Sequence, residues 1–381
     1  MYLNYSKKKS DFEILNEESK SFSSIYNGIN TDLDNILIHG ENFEVLKSLI
    51  NDVNLKQKVN LIYIDPPFST NNIFKISSQR ANSISSSNND EIAYKDTLKG
   101  SEFIEFLRER LILLNEILAD TGSIYLHIDY KIGHYVKVMM DEIFGIENFR
   151  GDIARVKCNP KNFKRKSYGN MKDLILFYTK TDNYVWNEPR VPLSEDEVKK
   201  LCGKVDGNGQ RYTTVPLHAP GETKNGATGE KWKGMYPPKG RHWRSSPEEL
   251  DKLEENGLIE WSKNGVPRKK IYAEEKIRKG KLLQDIWTFK DPQKPLYPTE
   301  KNNELLEQII KTSSNPNDLV LDCFCGSGTT LISAQKLNRR WIGIDESEKA
   351  IEVTKSRFSN IQTTLFNDKV DYKFYDLKSI T

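Results

Sequence analysis

Two short runs in this 381-residue chain carry residue types that chemistry needs. The first, Asp65-Pro66-Pro67-Phe68, follows directly on the apolar run Val59–Ile64 (VNLIYI). An aromatic amine is a poor nucleophile because its lone pair is delocalised into the ring. A carboxylate at Asp65 and the backbone carbonyl of Pro66 could each accept one amine hydrogen, drawing the nitrogen towards a tetrahedral geometry with its lone pair free to attack carbon. The prolines fix φ and so hold the carbonyl direction. Phe68 offers an aromatic face on which a base extruded from a duplex could stack. The bland alternative is a rigid turn closing a strand.

The second run is Asp322-Cys-Phe324-Cys-Gly326-Ser327-Gly328-Thr329-Thr330, between a strand-like stretch, Leu319–Cys323, and a helix-like one, Thr329–Leu337. Two glycines there let the backbone turn tightly against a ligand, and the helix start offers free N–H groups. Asp345 lies 19 residues beyond Gly326, at the end of the run Trp341–Asp345. An acid so placed hydrogen-bonds the ribose hydroxyls of an adenosine cofactor. A nicotinamide site would want a third glycine where Leu331 stands, and a phosphate loop would want a lysine. A plain tight turn is the alternative.

The elements that must position these runs are legible in the apolar pattern. Asn35–His39, Val59–Ile64, Ser123–Ile128, Asp173–Tyr178, Leu319–Cys323 and Trp341–Asp345 read as buried strands. Phe103, Leu107, Leu111, Leu114 and Leu118 fall on one face of a helix that Ser101 can cap and Gly122 can stop. Further helices are expected after Gly40, over Asn303–Lys311 and over Thr329–Leu337. Residues 69–90, dense in Asn and Ser, read as a long loop. Strands alternating with helices indicate a parallel α/β sheet.

Charge is unevenly distributed. Residues 150–290 hold about 30 Lys and Arg against 19 Asp and Glu, while the flanks hold 27 against 35. A basic block in an acidic frame suits contact with a polyanion, although a lysine-rich solvated surface would read the same. Within the block, Lys161, Lys164, Arg165, Lys166, Arg241 and Arg244 are the candidate nucleic-acid contacts, and the aromatic residues among them could stack on bases or form a small core. Four cysteines are too few for a disulfide scaffold, and the Cys323-Phe-Cys325 spacing is a poor zinc site, so no metal is expected. The chain lacks an apolar run of membrane-spanning length or a signal region, and reads as cytoplasmic. The chemistry above needs neither His127 nor His134, which read as structural.

The two runs, in this order with a variable block between, resemble the amino-group DNA methyltransferases of restriction–modification systems. They are similar to the permuted β class, and within it to modification subunits of type III systems and related adenine methylases. Further matches are His39-Gly40-Glu41-Asn42, Phe106-Leu-Arg-Glu-Arg110, Gly122-Ser-Ile-Tyr-Leu-His-Ile-Asp129 and Tyr297-Pro-Thr-Glu-Lys301. The resemblance covers about residues 35–180 and 280–360. It implies a Rossmann-like, seven-stranded, circularly permuted α/β sheet with an inserted target-recognition region. It also implies S-adenosylmethionine as cofactor, held by Asp322, Phe324, Gly326, Ser327, Gly328, Thr329, Asp345, Thr299, Lys301 and Glu41. Asp65 to Phe68 become the catalytic box, flipped adenine N6 in double-stranded DNA the acceptor, and a restriction subunit or a second copy of the chain the protein partners to test. Cytosine N4, an RNA amine, or a catalytically inactive DNA-binding relative are the alternatives.

Three positions depart from the family pattern: Glu41 stands in place of Asp, and Glu300 and Asn302 in place of Gln and Pro around Lys301. The expected divisions are an N-terminal extension (1–34), a catalytic half (35–180), a target-recognition insertion (181–284), a cofactor half (285–360) and a C-terminal tail (361–381).

Overall fold

The structure, a computed structural model, describes residues 2–18, 34–51, 53–67, 73–76, 81–82, 91–95, 100–160, 164, 166–293, 295, 297, 300–361 and 370–378. The chain divides into two compact units, Met1–Pro189 with Gln284–Thr381, and Arg190–Leu283.

The first unit is built on one sheet with nine strands among the described residues. In chain order they are β1 (Ile36–His39), β2 (Val59–Ile64), β3 (Leu118–Ile128), β4 (Phe149–Val156), β5 (Lys172–Thr179), β6 (Ile286–Trp287), β7 (Leu319–Asp322), β8 (Arg340–Asp345) and β9 (Lys373–Asp376). Their order across the sheet is β6-β4-β5-β3-β2-β7-β8-β1-β9. Every neighbouring pair is parallel except those that β5 makes with β3 and β4. The seven strands that the resemblance implies are thus extended by one at each edge, two-residue β6 and four-residue β9.

The helices of this unit are α1 (Asp11–Asn16), α2 (Asn42–Asn51), α3 (Ser101–Ile117), α4 (Gly133–Phe144), α5 (Asn303–Ser313), α6 (Thr329–Lys336) and α7 (Glu348–Ser359). Both faces of the central strands are covered, so β2, β7 and β8 are almost continuously apolar and buried. Phe103, Leu107, Leu111 and Leu114 of α3 are fully buried, at the three-to-four-residue spacing that keeps one face on the core.

Several expectations need correction. Ser101 is the first helical residue of α3, preceded by Gly100 at φ 55°, so it does not cap the helix. The helix ends at Ile117 and the chain passes straight into β3, which runs through Gly122. That glycine is required by crowding instead: a Cβ there would lie 2.6 Å from the Leu118 side chain. The loop expected over 69–90 contains strands Ile73–Ile76 and Ala81–Asn82, the first paired antiparallel with both the second and Glu91–Lys95. The N-terminal extension is docked, since Ser10 caps α1 through a capping box and Ile14 is fully buried in the core. The C-terminal tail supplies β9, paired in parallel with β1 from Ile36↔Lys373 to His39↔Asp376. Residues 181–189 fall in the first compact unit: the Asn187 N–H donates to the Thr312 carbonyl at 2.7 Å, and Trp186 stacks on Phe177.

The second unit has its own four-stranded antiparallel sheet, in the order Lys204–Val205, Arg211–Pro216, Pro267–Tyr272, Ile259–Trp261. Its apolar core is small: Leu217, Trp232, Trp243, Leu250 and Ile259. Weak periodicity hid these elements because the strands are short and largely half-exposed.

Candidate active site

In a parallel sheet a ligand crevice forms at the carboxyl ends of the strands, where neighbouring connections leave in opposite directions. Here β7 leads outwards to β8 and its neighbour β2 leads the other way to β3, and a pocket lies at that end. Asp65, Pro66 and Pro67 follow β2, Asp322 ends β7 and Cys323 to Ser327, Thr329 and Thr330 come after it, Asp345 ends β8, and Glu41 and Asn42 follow β1; all of these residues line the pocket, whereas Gly328 does not. Tyr297, Glu300 and Lys301 close another side.

The two oxygens of Asp65 differ. Oδ2 takes an ion pair from the Lys301 ammonium at 2.5 Å, both side chains being largely buried. Oδ1 is buried and has no hydrogen-bond partner among the described residues. His127 Nδ1 lies 4.0 Å from it. The fully buried His127 shares a hydrogen bond with the Tyr63 hydroxyl through Nδ1 at 2.9 Å and with Asp173 through Nε2 at 3.3 Å. Burial lowers the imidazole pKa and favours the neutral ring. Burial also raises the Asp173 carboxyl, but hydrogen bonds with His127 and Lys157 outweigh it and hold the pKa well below the usual range. Arg155, wholly buried, lies 3.6 Å from the same carboxylate. This network behind Asp65 escaped the sequence reading. Its members are spread from Tyr63 to Asp173 and meet only because β2, β3, β5 and β4 are neighbours or near neighbours in the sheet.

Two acids at strand ends help hold the loop after β7. Asp322, 2% exposed, accepts from the Phe324 N–H at 3.0 Å and from the Thr330 hydroxyl at 2.6 Å. Burial pushes its carboxyl up to about 7. Asp345 accepts from the Gly326 N–H at 2.8 Å and the Ser347 N–H at 2.9 Å, and burial pushes it up to about 6. Each oxygen keeps a second lone pair. Gly328 needs to be glycine twice over: its φ is 75°, and a Cβ would sit 2.7 Å from the Thr354 side chain. On the far wall Glu41 pairs with Arg110, whose guanidinium lies 3.6 Å from the Phe106 ring centre. Asn42 donates to the Cys323 carbonyl at 3.0 Å. Cys323 and Cys325 are buried thiols whose pKa burial raises well above the ordinary value.

Of the remaining candidates, Phe68, Thr299, Lys161 and Arg165 lie outside the described residues. Lys164, Lys166, Arg241 and Arg244 are exposed. Trp232 and Trp243 are core residues of the second unit, whereas Trp261 and Tyr236 remain substantially exposed. The departure at Asn302 has a structural role: its side chain caps α5, accepting from the Glu304 and Leu305 N–H groups at 2.7 and 3.3 Å.

A Rossmann-like sheet with a glycine-bearing loop after one strand, an acid ending the next and an Asp-Pro-Pro turn beside them defines a methyltransferase domain of the S-adenosylmethionine-dependent class. The chain belongs to the DNA methylase family, whose model matches residues 59–356. It is 42% identical over 333 residues to the type II methyltransferase M.EcaI of Enterobacter cloacae, covering 86% of this chain and 70% of that protein. It is 28% identical over 340 residues to the StyLTI Mod subunit of a type III restriction–modification enzyme of Salmonella typhimurium, covering 81% of this chain and 51% of the subunit. The chain therefore spans about half the length of that relative. Among solved structures, an M1.HpyAVI–SAM complex is similar over 84% of this chain and 99% of that one, with TM-score 0.43 and 20% identity. The cytosine-N4-specific PvuII DNA methyltransferase is similar over 90% and 95%, with TM-score 0.45 and 17% identity. The protein is an S-adenosylmethionine-dependent DNA methyltransferase.

Proposed function

We propose that the enzyme methylates the exocyclic N6 amine of an adenine drawn out of duplex DNA, with Asp65 and the Pro66 carbonyl each accepting a hydrogen bond from one amine hydrogen. The observation that carries this reading is Asp65 Oδ1, a buried acceptor without a partner among the described residues at a pocket that its neighbours line. Burying such an acceptor unsatisfied costs about 1–3 kcal/mol, which a substrate donor would recover. Lys301 fixes the other oxygen, so the free one faces one way.

The lining fits S-adenosylmethionine. Asp345 suits vicinal hydroxyls, Phe324 and Phe106 offer aromatic faces, the turn at Gly326 brings backbone close, and Lys301 is a cation for a carboxylate. When bound, the cofactor supplies an electrophilic methyl on a sulfonium. The chain's own contribution is positioning and electrostatics: Asp65 and Pro66 orient the amine, and Asp65 can take the proton that the nitrogen sheds. The second unit, with Arg241 and Arg244 exposed, supplies cations for the phosphate backbone in this reading. A restriction subunit, as in the enzyme to which the Mod relative belongs, or a second copy of this chain would reveal itself by co-purification and solution mass.

The test is nucleoside mass spectrometry of plasmid DNA treated with enzyme and S-adenosylmethionine, beside Asp65→Ala. N6-methyladenine from the wild type alone supports the reading. N4-methylcytosine would overturn the base, and equal product from Asp65→Ala would overturn the catalytic box.

A further inference from the structure

The side chains of Tyr297, Glu300 and Lys301 touch three parts of the site. The Tyr297 ring lies 3.9 Å from the position that a Cβ on Gly326 would take. Glu300 pairs with Arg357 of α7 at 3.3 Å, and Lys301 pairs with Asp65 at 2.5 Å. Arg357 in turn donates from Nη1 to the Ser327 carbonyl at 2.9 Å, and lies 3.0 Å from both the Ser327 and Thr329 hydroxyls. Its Nη2 reaches the Asn303 side chain at 3.3 Å. Both members of the ion pair are about nine-tenths buried, at 8% and 12% exposure, so neither could lose its partner cheaply.

A line of polar contacts therefore runs from the cofactor loop to Asp65: Ser327 and Thr329 to Arg357, Arg357 to Glu300, and, through the next residue in the chain, Lys301 to Asp65. The acid at position 300, where the family pattern implies Gln, is what makes the central link an ion pair. A planar guanidinium suits this place because one fork can serve the loop, the acid and Asn303 at once, which an ammonium cannot.

We propose that Glu300 and Arg357 are a positioning pair that clasps the cofactor loop to the Lys301–Asp65 wall, so that cofactor affinity and placement of the catalytic carboxylate depend on one buried contact. This rests on the functional reading above for Asp65, but its cofactor arm can be tested without any reaction.

The experiment measures S-adenosylmethionine binding by titration calorimetry on the full chain, and separately the single-turnover methylation rate at saturating cofactor. Four variants are compared: Arg357→Gln, Glu300→Gln, the double variant, and Ser356→Ala as an exposed control on the same helix. Arg357→Gln is expected to weaken cofactor binding about tenfold or more and to slow turnover at saturation, because both arms of the clasp are released. Glu300→Gln keeps an acceptor for the guanidinium but removes its counter-charge, and should weaken binding and slow turnover in the same direction as Arg357→Gln and by less. The double variant should remain as weak as Arg357→Gln, since the contacts to Ser327 and Thr329 are still missing. Wild-type affinity and rate in a folded Arg357→Gln protein would overturn the proposal. So would full recovery in the double variant, which would mean that Arg357 merely neutralises a buried carboxylate. Weakened binding in Arg357→Gln with no methylated adenine from the wild type would leave the clasp standing and overturn the functional reading instead.

Discussion

At the scale of single residues, the site depends on carboxylates whose surroundings differ. Asp65 has one oxygen committed to Lys301 and one uncommitted, so Asp65→Asn should leave S-adenosylmethionine affinity within about threefold while cutting turnover by about a hundredfold or more, as losing one preorganised group in the transition state does. Comparing a binding isotherm with N6-methyladenine yield checks both halves. Asp345 is pushed up to about 6 by burial, with Glu346 adding to the rise and His39 opposing it. The ionised form is the better acceptor for hydroxyls, so cofactor affinity should climb between about pH 5 and 7. Titrations across that range should show the rise in wild type and a flatter profile in Asp345→Asn.

At the scale of elements, the loop between β7 and α6 keeps its shape at a cost. The buried Asp322 carboxyl is raised to about 7, so the folded chain binds this proton more tightly than the unfolded chain does. Its stabilising contribution is full at low pH and is lost as pH rises from about 4 through 7, the opposite of a salt-bridged carboxylate. Asp322→Asn should therefore weaken the decline in stability over that window, as read by denaturant melts at several pH values. Gly328 takes a left-handed conformation with Thr354 against it. Gly328→Ala should lower stability by about 1 kcal/mol or more and weaken cofactor binding, since both strain and overlap act at the same turn. The passage from α3 into β3 without a loop shows a limit of pattern reading. Leu118 continues the apolar face of the helix, yet it is already paired with Val59 in the sheet.

At the scale of the whole molecule, the two compact units differ in what holds them. The first has a deep core on both faces of one sheet, while the second relies on a few residues around Trp232 and Trp243. Among the described residues no helix is long and apolar enough to cross a membrane. If the basic residues of the second unit contact phosphates, Arg241→Ala with Arg244→Ala should weaken DNA binding at every sequence and reduce the slope of log affinity against log salt by about 2. The methylated base should not change. Filter binding at several salt concentrations measures the slope, and an unchanged slope would remove these two residues from the interface.

Sequence alone determined the chemistry-bearing runs and the order of the central strands' elements, because both are local. A run such as VNLIYI is apolar wherever it goes, and Asp-Pro-Pro after it needs no distant partner to be rigid. Gly326, Gly328 and Asp345 were likewise singled out by spacing along one strand–helix–strand unit, and Gly326 and Asp345 line the pocket. Tertiary structure decided what lies behind and across from them. His127, read as structural, stands against Asp65; Arg357 reaches under the cofactor loop; the tail at 373–376 becomes an edge strand; and Glu300, a departure from pattern, becomes half of an ion pair. Each of these depends on residues far apart in the chain meeting through the strand order of the sheet. Such meetings leave no periodic trace in the sequence, because the free energy that selects them comes from burial and pairing in three dimensions.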